Sequence, residues 1–264
     1  MYFLNRARSI VNAVKWYVAT FPFATDEVSC LATPTDSVPS VVEIFAPLCR
    51  LIPLVIIDRQ QLAAPMQILQ CIHKQNLTRL TLQPAHLNRL LSYIGRNRPK
   101  IFLCRGLKFI FTANSTLTLQ LATDFFNIVH PKSAAQPGSG DQPLNSAPAS
   151  KSKKLTIPEI GAPWLVNIYS LAETTGSVSF QILRDMQDLK EKLERNRIPI
   201  GRPIFNTLVY VMDETQNVVA VDTIGEICVA GLGVSRGYCG KESHRNFMIN
   251  ASSSSEGNST ALVR

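Results

Sequence analysis

The sequence predicts an α/β fold, a parallel sheet flanked by helices with a small β-rich subdomain after it. Three observations carry this. From Leu51 to Phe126, short apolar, β-branched runs alternate with helical apolar spacings, the pattern of strand–helix–strand units covered on both sides. Beyond Ile198 that alternation gives way to short strands and spaced glycines. A chain of 264 residues with 45% hydrophobic content is long and apolar enough to bury a sizeable core.

Each element follows from its own spacing. Ile10, Val11, Val14 and Val18 predict a first helix over 9–21, and Val41, Val42, Ile44, Phe45 and Leu48 a second, with Glu43 amid them. Leu51 to Ile57 is a continuous apolar run, as in a strand buried on both faces. Met66, Leu69 and Ile72 mark a helix, and Leu77 to Leu82 the next strand. Leu87, Leu90, Leu91 and Ile94 recur at i, i+3, i+4 and i+7, one face of a helix. Leu107 to Phe111 and Leu117 to Phe126 form another strand–helix pair, and Trp164 to Tyr169 resumes the sheet. Asp185 to Arg197 reads as a solvated helix with Leu189 and Leu193 at i, i+4. Asn206 to Met212 and Ile227 to Ala230 are strands, with a turn at Asp213 to Asn217.

These elements divide the chain into a first part of the sheet subdomain at 1–130, a return to the sheet at 158–197 and a β-rich subdomain at 198–247. Between them, 131–157 is rich in Ser, Pro, Ala, Gly and Lys, too poor in large apolar residues to fold, and reads as a disordered insertion. Residues 248–264 are Ser-rich and polar, a disordered tail.

Composition excludes several function classes. No apolar run reaches the roughly 18 residues that span a bilayer, and Arg6, Arg8 and Lys15 interrupt any signal-peptide core, so no membrane association is expected. The six cysteines stand singly, without C-x-x-C pairs, which speaks against a disulfide framework or a zinc site and suits the reducing cytoplasm. The net charge of +8 is scattered, with no recognition helix or aromatic nucleic-acid signature, so no nucleic-acid partner is implied. The four histidines lack metal spacing, and no G-x-S-x-G elbow occurs.

Two stretches carry the chemistry. Gly225-Glu-Ile-Cys-Val-Ala-Gly-Leu-Gly-Val-Ser-Arg-Gly-Tyr238 is a strand running into a glycine-spaced loop that ends in Arg236 and Tyr238, residues able to grip a neighbouring segment. Asn167-Ile-Tyr-Ser-Leu-Ala-Glu173 ends a strand with a lone acid, which without further context reads as a helix-start charge. The first resembles the "G-E-[LI]-x-[VI]-x-G-x-G-V-[AS]-R-G-Y" signature of AMP-forming adenylating enzymes. These include acyl-CoA synthetases and the adenylation domains of nonribosomal peptide synthetases. The second resembles their "N-x-Y-G-x-T-E" motif, with Ser170 and Ala172 as departures. Asn12, Trp16 and Thr20-Phe-Pro-Phe23, then Ser37 to Leu48, then Gly201-Arg-Pro203 resemble further motifs of the family in the same order, most closely those of the β-alanyl-amine synthetase type.

The resemblance implies the middle of an adenylation-domain large lobe, with ATP and Mg²⁺ as cofactors. It places the nucleotide beside Asn114, Ser115, Asn167, Tyr169, Ser170 and Ala172, the metal on Glu173, and the acid substrate near Ser37 and Pro39. Tyr169 takes the position of the tyrosine that stacks on adenine. Pro39 stands where amino-acid-activating members hold the substrate amine with an aspartate, and proline offers neither charge nor hydrogen bond. Ser115 stands where the family has a glutamate. The family reaction joins a carboxylate to ATP as an acyl-adenylate and then passes the acyl group to a carrier-protein thiol or an amine. No Gly-rich run followed by Lys-Ser or Lys-Thr occurs here, and the family's terminal lysine domain has no counterpart, so the chain as given is expected to lack adenylation activity. Two alternatives stay open: a non-catalytic binding or scaffold remnant, and a truncated version of an active nonribosomal-peptide-synthetase-like enzyme. Without the upstream half, sheet edges and apolar helix faces are expected to lie uncovered.

Overall fold

The computed structural model describes residues 3–130, 162–239, 247–249 and 261–263, the last two as backbone only. In chain order the helices are α1 (Ala7–Thr20), α2 (Pro39–Leu48), α3 (Arg59–Ala63), α4 (Pro65–Lys74), α5 (Pro84–Arg96), α6 (Leu119–Val129) and α7 (Met186–Glu191). The strands are β1 (Ser29–Leu31), β2 (Leu54–Ile56), β3 (Arg79–Leu82), β4 (Phe109–Thr112), β5 (Trp164–Leu171), β6 (Gly176–Leu183), β7 (Arg202–Pro203), β8 (Thr207–Met212), β9 (Glu226–Gly231), β10 (Phe247–Ile249) and β11 (Ala261–Val263).

The main sheet has the order β3-β4-β5-β6-β7. Its first three strands are parallel, as expected, but β6 and β7 run antiparallel, so the sheet is mixed. The return of the chain after Glu173 through a tight turn makes β6 a hairpin partner of β5 rather than a crossover strand. Side chains alternate across the sheet and fill two layers. Ile110 and Leu165 face α4, α5 and α6, while Phe109, Phe111, Trp164 and Val166 face α1 and α2. This is the double coverage that buried parallel strands require.

The α1 layer is aromatic. Trp16, Tyr17 and Phe21 pack on Phe109, Phe111 and Phe180 with ring centroids 5.1–6.0 Å apart, within the range of favourable edge and tilted contacts. Burial pushes the Tyr17 phenol up to about 12. At the edge of this layer Arg79, 2% exposed, donates from Nε to Glu27 at 2.6 Å and from its two other nitrogens to the carbonyls of Phe21 and Pro22, both at 2.7 Å. Its guanidinium lies 3.7 Å from the Phe23 ring centre. The Thr20-to-Phe23 corner is thus clamped to the start of β3.

Two expectations need correction. The run from Leu51 to Ile57 is not a strand buried on both faces. β2 pairs only with β1, in a separate two-stranded sheet, and Leu51 and Ile56 are 93% and 73% exposed. The stretch read as a tail contains β10 at its start and β11 near its end, and β11 pairs with β9 at Val263 and Val229. The second sheet has the order β10-β11-β9-β8. The expected insertion at 131–157 lies outside the described residues. Among the described residues no helix is long and apolar enough to cross a membrane.

Candidate functional site

The carboxyl ends of β4 and β5 lie side by side, with Thr112 opposite Asn167. In open α/β sheets ligands bind beyond such ends. Asn114, two residues past β4, sits at φ 65°, a left-handed conformation that asparagine tolerates better than most residues. Its side chain donates to Ser37 Oγ at 3.1 Å and accepts from Ser170 Oγ at 3.4 Å. A single carboxamide therefore links the loop before α2 to the end of β5. A shift in the β5–β6 register between Tyr169 and Ser170 marks the same point on the other strand, as irregularities beside sites often do.

These residues line a cavity of about 450 Å³, with Asn114, Ser115, Asn167, Tyr169 and Ser170 in its wall. The size suits a small-molecule ligand. Burial, with the charge of Glu173 added to it, holds the Tyr169 phenol above its ordinary value and keeps it neutral. Pro39 lines a second, much smaller cavity of about 20 Å³ that shares Ile168 and Ser170 with the first. Ser37 is tied to it through the turn into α2, where its carbonyl accepts from Ser40 Oγ at 2.7 Å.

Ala172 and Glu173 occupy the 3₁₀ turn between β5 and β6. Ala172 brings no polar side-chain atom to this turn. The Glu173 carboxylate accepts a hydrogen bond of 2.9 Å from the Tyr238 hydroxyl, and its carbonyl accepts from the Ser235 amide at 2.8 Å. Thr175, at φ 56°, donates from its hydroxyl toward Asn5 Oδ1 and the Gly233 carbonyl, both at 2.9 Å. The glycine-spaced loop is thus wrapped around the acidic turn. Gly233 is required by that contact, since a Cβ there would meet the Thr174 carbonyl at 2.9 Å. Of the two residues the sequence offered for gripping a neighbour, Tyr238 does so through its hydroxyl and Arg236 through its backbone amide. Nothing in the sequence showed that the neighbours are Leu4, whose carbonyl accepts from the Arg236 amide at 2.8 Å, and Glu173.

Asn114, Ser115, Asn167, Tyr169 and Ser170 therefore meet at one rim, with Ser37 and Pro39 beside it and Ala172 and Glu173 just beyond the strand end. No group of three or more His, Cys, Asp or Glu side chains fit to hold a metal occurs among the described residues. Glu173 is a single acid, a donor set that suits a metal brought in on phosphate oxygens rather than one caged by protein.

The mixed sheet with helices on both faces is the α/β fold of an adenylation-domain large lobe. Solved adenylation structures share this fold. The Klebsiella oxytoca NpsA N-terminal subdomain in complex with 3-hydroxybenzoyl-AMSN superposes with a TM-score of 0.69 at 14% identity, over 99% of this chain and 55% of that one. The AMPPNP-bound nonribosomal peptide synthetase FmoA3 gives 0.74 at 17% identity, over 99% and 24%. Residues 4–239 match the family described as AMP-binding enzyme, and the chain belongs to that family. Among curated relatives, the β-alanyl-bioamine nonribosomal peptide synthetase ebony of Drosophila melanogaster is 25% identical over 92% of this chain. Tyrocidine synthase 3 of Brevibacillus parabrevis is 25% identical over 89%. The chain spans about a quarter of the length of the fly protein and 3% of the bacterial one.

Proposed function

We propose that the chain provides the nucleotide-binding part of an ATP-dependent, AMP-forming activation of an amino or carboxylic acid, and that alone it binds nucleotide without turning it over. The observation that carries this reading is the convergence of Tyr169, Asn114 and Ser170 on one cavity of about 450 Å³, with Glu173 in the next turn. The Tyr169 ring offers a face for adenine, and the hydroxyls of Ser115 and Ser170 with the Asn114 carboxamide offer polar partners. Glu173 would hold Mg²⁺ on the triphosphate, and the ion would offset phosphate charge there.

Joining a carboxylate to a triphosphate crowds anions together, and cations must offset them. The family's phosphate-cradling loop and terminal lysine have no counterpart in these 264 residues. Binding without turnover follows. Within a longer assembly the acceptor would be a carrier protein or an amine, and NpsA-ThdA, an artificially fused adenylation-PCP di-domain, is one arrangement of that kind.

Isothermal titration with ATP·Mg tests the reading. Binding in the micromolar range, weakened about tenfold or more by Glu173→Ala, supports it. Absence of binding at millimolar nucleotide overturns it. Robust pyrophosphate exchange by the isolated chain would overturn the claim of binding without turnover.

A further inference from the structure

Thr175 stands in a conformation that its residue type resists. It closes the 3₁₀ turn after Glu173 at φ 56° and ψ 21°, in the left-handed region. Of the non-glycine residues with positive φ among the described residues, it alone is β-branched, and it alone is buried, at 2% exposure. A β-branched residue at such an angle is strained, and the strain persists only where neighbouring contacts hold it. Glycine would take the same angle freely. The threonine therefore brings something that the path of the backbone does not require.

What it brings is a hydroxyl. Oγ1 lies 2.9 Å from the Gly233 carbonyl and 2.9 Å from Asn5 Oδ1. A hydroxyl has one proton to give and lone pairs to receive. Both contacts hold at once when Thr175 donates to the carbonyl and the Asn5 carboxamide turns its NH₂ toward it. Two routes lead away from this point. The Gly233 side runs to Ser235, whose amide donates to the Glu173 carbonyl at 2.8 Å, and on to Tyr238, whose hydroxyl holds Glu173 Oε1. The Asn5 side runs to Leu4, whose amide donates to the Gly237 carbonyl at 3.0 Å, and to Phe3, whose ring packs on Tyr238 with centroids 5.3 Å apart. Both routes end on the residue that grips the Glu173 carboxylate, and the Thr175 hydroxyl is where they cross.

We propose that Thr175 is a positioning residue whose hydroxyl, held in a strained turn, fixes the Glu173 carboxylate in the orientation that receives a nucleotide-bound Mg²⁺. The role of Glu173 at the metal is the reading given above, and this proposal rests on it. At 2% exposure Thr175 acts through its neighbours and not by contact with a ligand.

Calorimetric titration with ATP in Mg²⁺, and again in EDTA, separates the metal's share of binding from the nucleotide's. Wild-type protein should bind at least about tenfold tighter with Mg²⁺. Thr175→Gly accepts the turn without strain but lacks the hydroxyl. It should lose most of that gain while its affinity in EDTA stays within about twofold of wild type. Thr175→Ser retains the hydroxyl and should keep the gain. A role in folding alone would lower both affinities together or leave both in place. Either result would overturn the proposal, as would Thr175→Ser behaving like Thr175→Gly, or wild-type binding that is equal in Mg²⁺ and EDTA. If Thr175→Gly fails to fold, Asn5→Ala, at an exposed position, is read in its place, and an undiminished Mg²⁺ gain there overturns the proposal. If wild-type protein binds no ATP at all, the nucleotide reading falls. The carbon resonance of the Glu173 carboxyl then decides the positioning claim: it should move in Thr175→Gly and stay in Thr175→Ser, and a resonance unmoved in both overturns it.

Discussion

The Tyr238 hydroxyl donates to Glu173 Oε1 at 2.9 Å across 65 residues of sequence. The bond joins the end of the glycine-spaced loop to the acid beyond β5, so the two motifs are halves of one contact. It engages one carboxylate oxygen and fixes the orientation of the other. Tyr238→Phe should cost about 1–2 kcal/mol, as for a part-buried hydrogen bond to a charged group, and should also weaken ATP·Mg binding by loosening Glu173. Urea unfolding and calorimetry on the same variant check both. A stability loss with unchanged nucleotide affinity would make the bond purely structural.

The Arg79–Glu27 pair is a different case, buried and built into the fold, with Lys108 reaching the other Glu27 oxygen at 3.2 Å. Removing Arg79 leaves the buried Glu27 with Lys108 as its remaining counter-charge, so Arg79→Met should cost about 3 kcal/mol, the low end for breaking a buried pair. The loss includes two hydrogen bonds to the Phe21 and Pro22 carbonyls, which then lack donors. Arg79→Met with Glu27→Gln should be milder than the sum of its parts, and denaturant midpoints of the three variants measure that coupling.

Much of this fold was legible because its helices are amphipathic. The spacing of Leu87, Leu90, Leu91 and Ile94 marked α5, and all four are buried. The run at Leu51 misled because only part of it is covered: Ile52 and Ile57 are buried, while Leu51 and Ile56 face solvent. β6 went unread although Ser177, Ser179 and Gln181 alternate with Val178, Phe180 and Ile182, a strand spacing; its antiparallel place in the sheet is set only by the hairpin with β5. At the site, Asn114 and Tyr169 could be placed by strand ends and motif spacing. Neither Thr175 nor the buried Glu43 could, because what makes them unusual is their company, Asn5 and Gly233 for the one and Ala32, Thr33 and Thr81 for the other, brought together only by folding.

Glu43 also predicts a pH dependence. Burial holds its carboxyl above the ordinary value of 4.5, with nearby Thr81 and the hydrogen bonds from Thr33 and Ala32 pulling the other way. A group whose folded value is raised binds its proton more tightly in the native state. It contributes stability below the ordinary value and loses that contribution as pH rises through the raised one. Glu43→Gln has no such proton to lose. Its stability relative to wild type should grow as pH rises from about 4 to about 7. Parallel curves of urea midpoint against pH would refute this.

The last prediction concerns the outer face of α1 and α2. Val11 and Phe45 are 49% and 45% exposed, Leu48 is 53% exposed, and a groove of about 670 Å³ runs between the two helices. Its wall is mostly aliphatic and aromatic, with Lys15 and Arg50 as the charged members. Contiguous apolar surface of this kind drives association in water. The isolated chain should therefore self-associate as concentration rises and bind a hydrophobic dye. Val11→Lys with Phe45→Glu places opposite charges in the groove, at positions whose side chains already reach solvent, so folding should survive within about 0.5 kcal/mol. Sedimentation velocity should show the variant monomeric at concentrations where wild type forms larger species. Equal association by both proteins would instead direct attention to the strand edges at β3 and β7, the two ends of the main sheet.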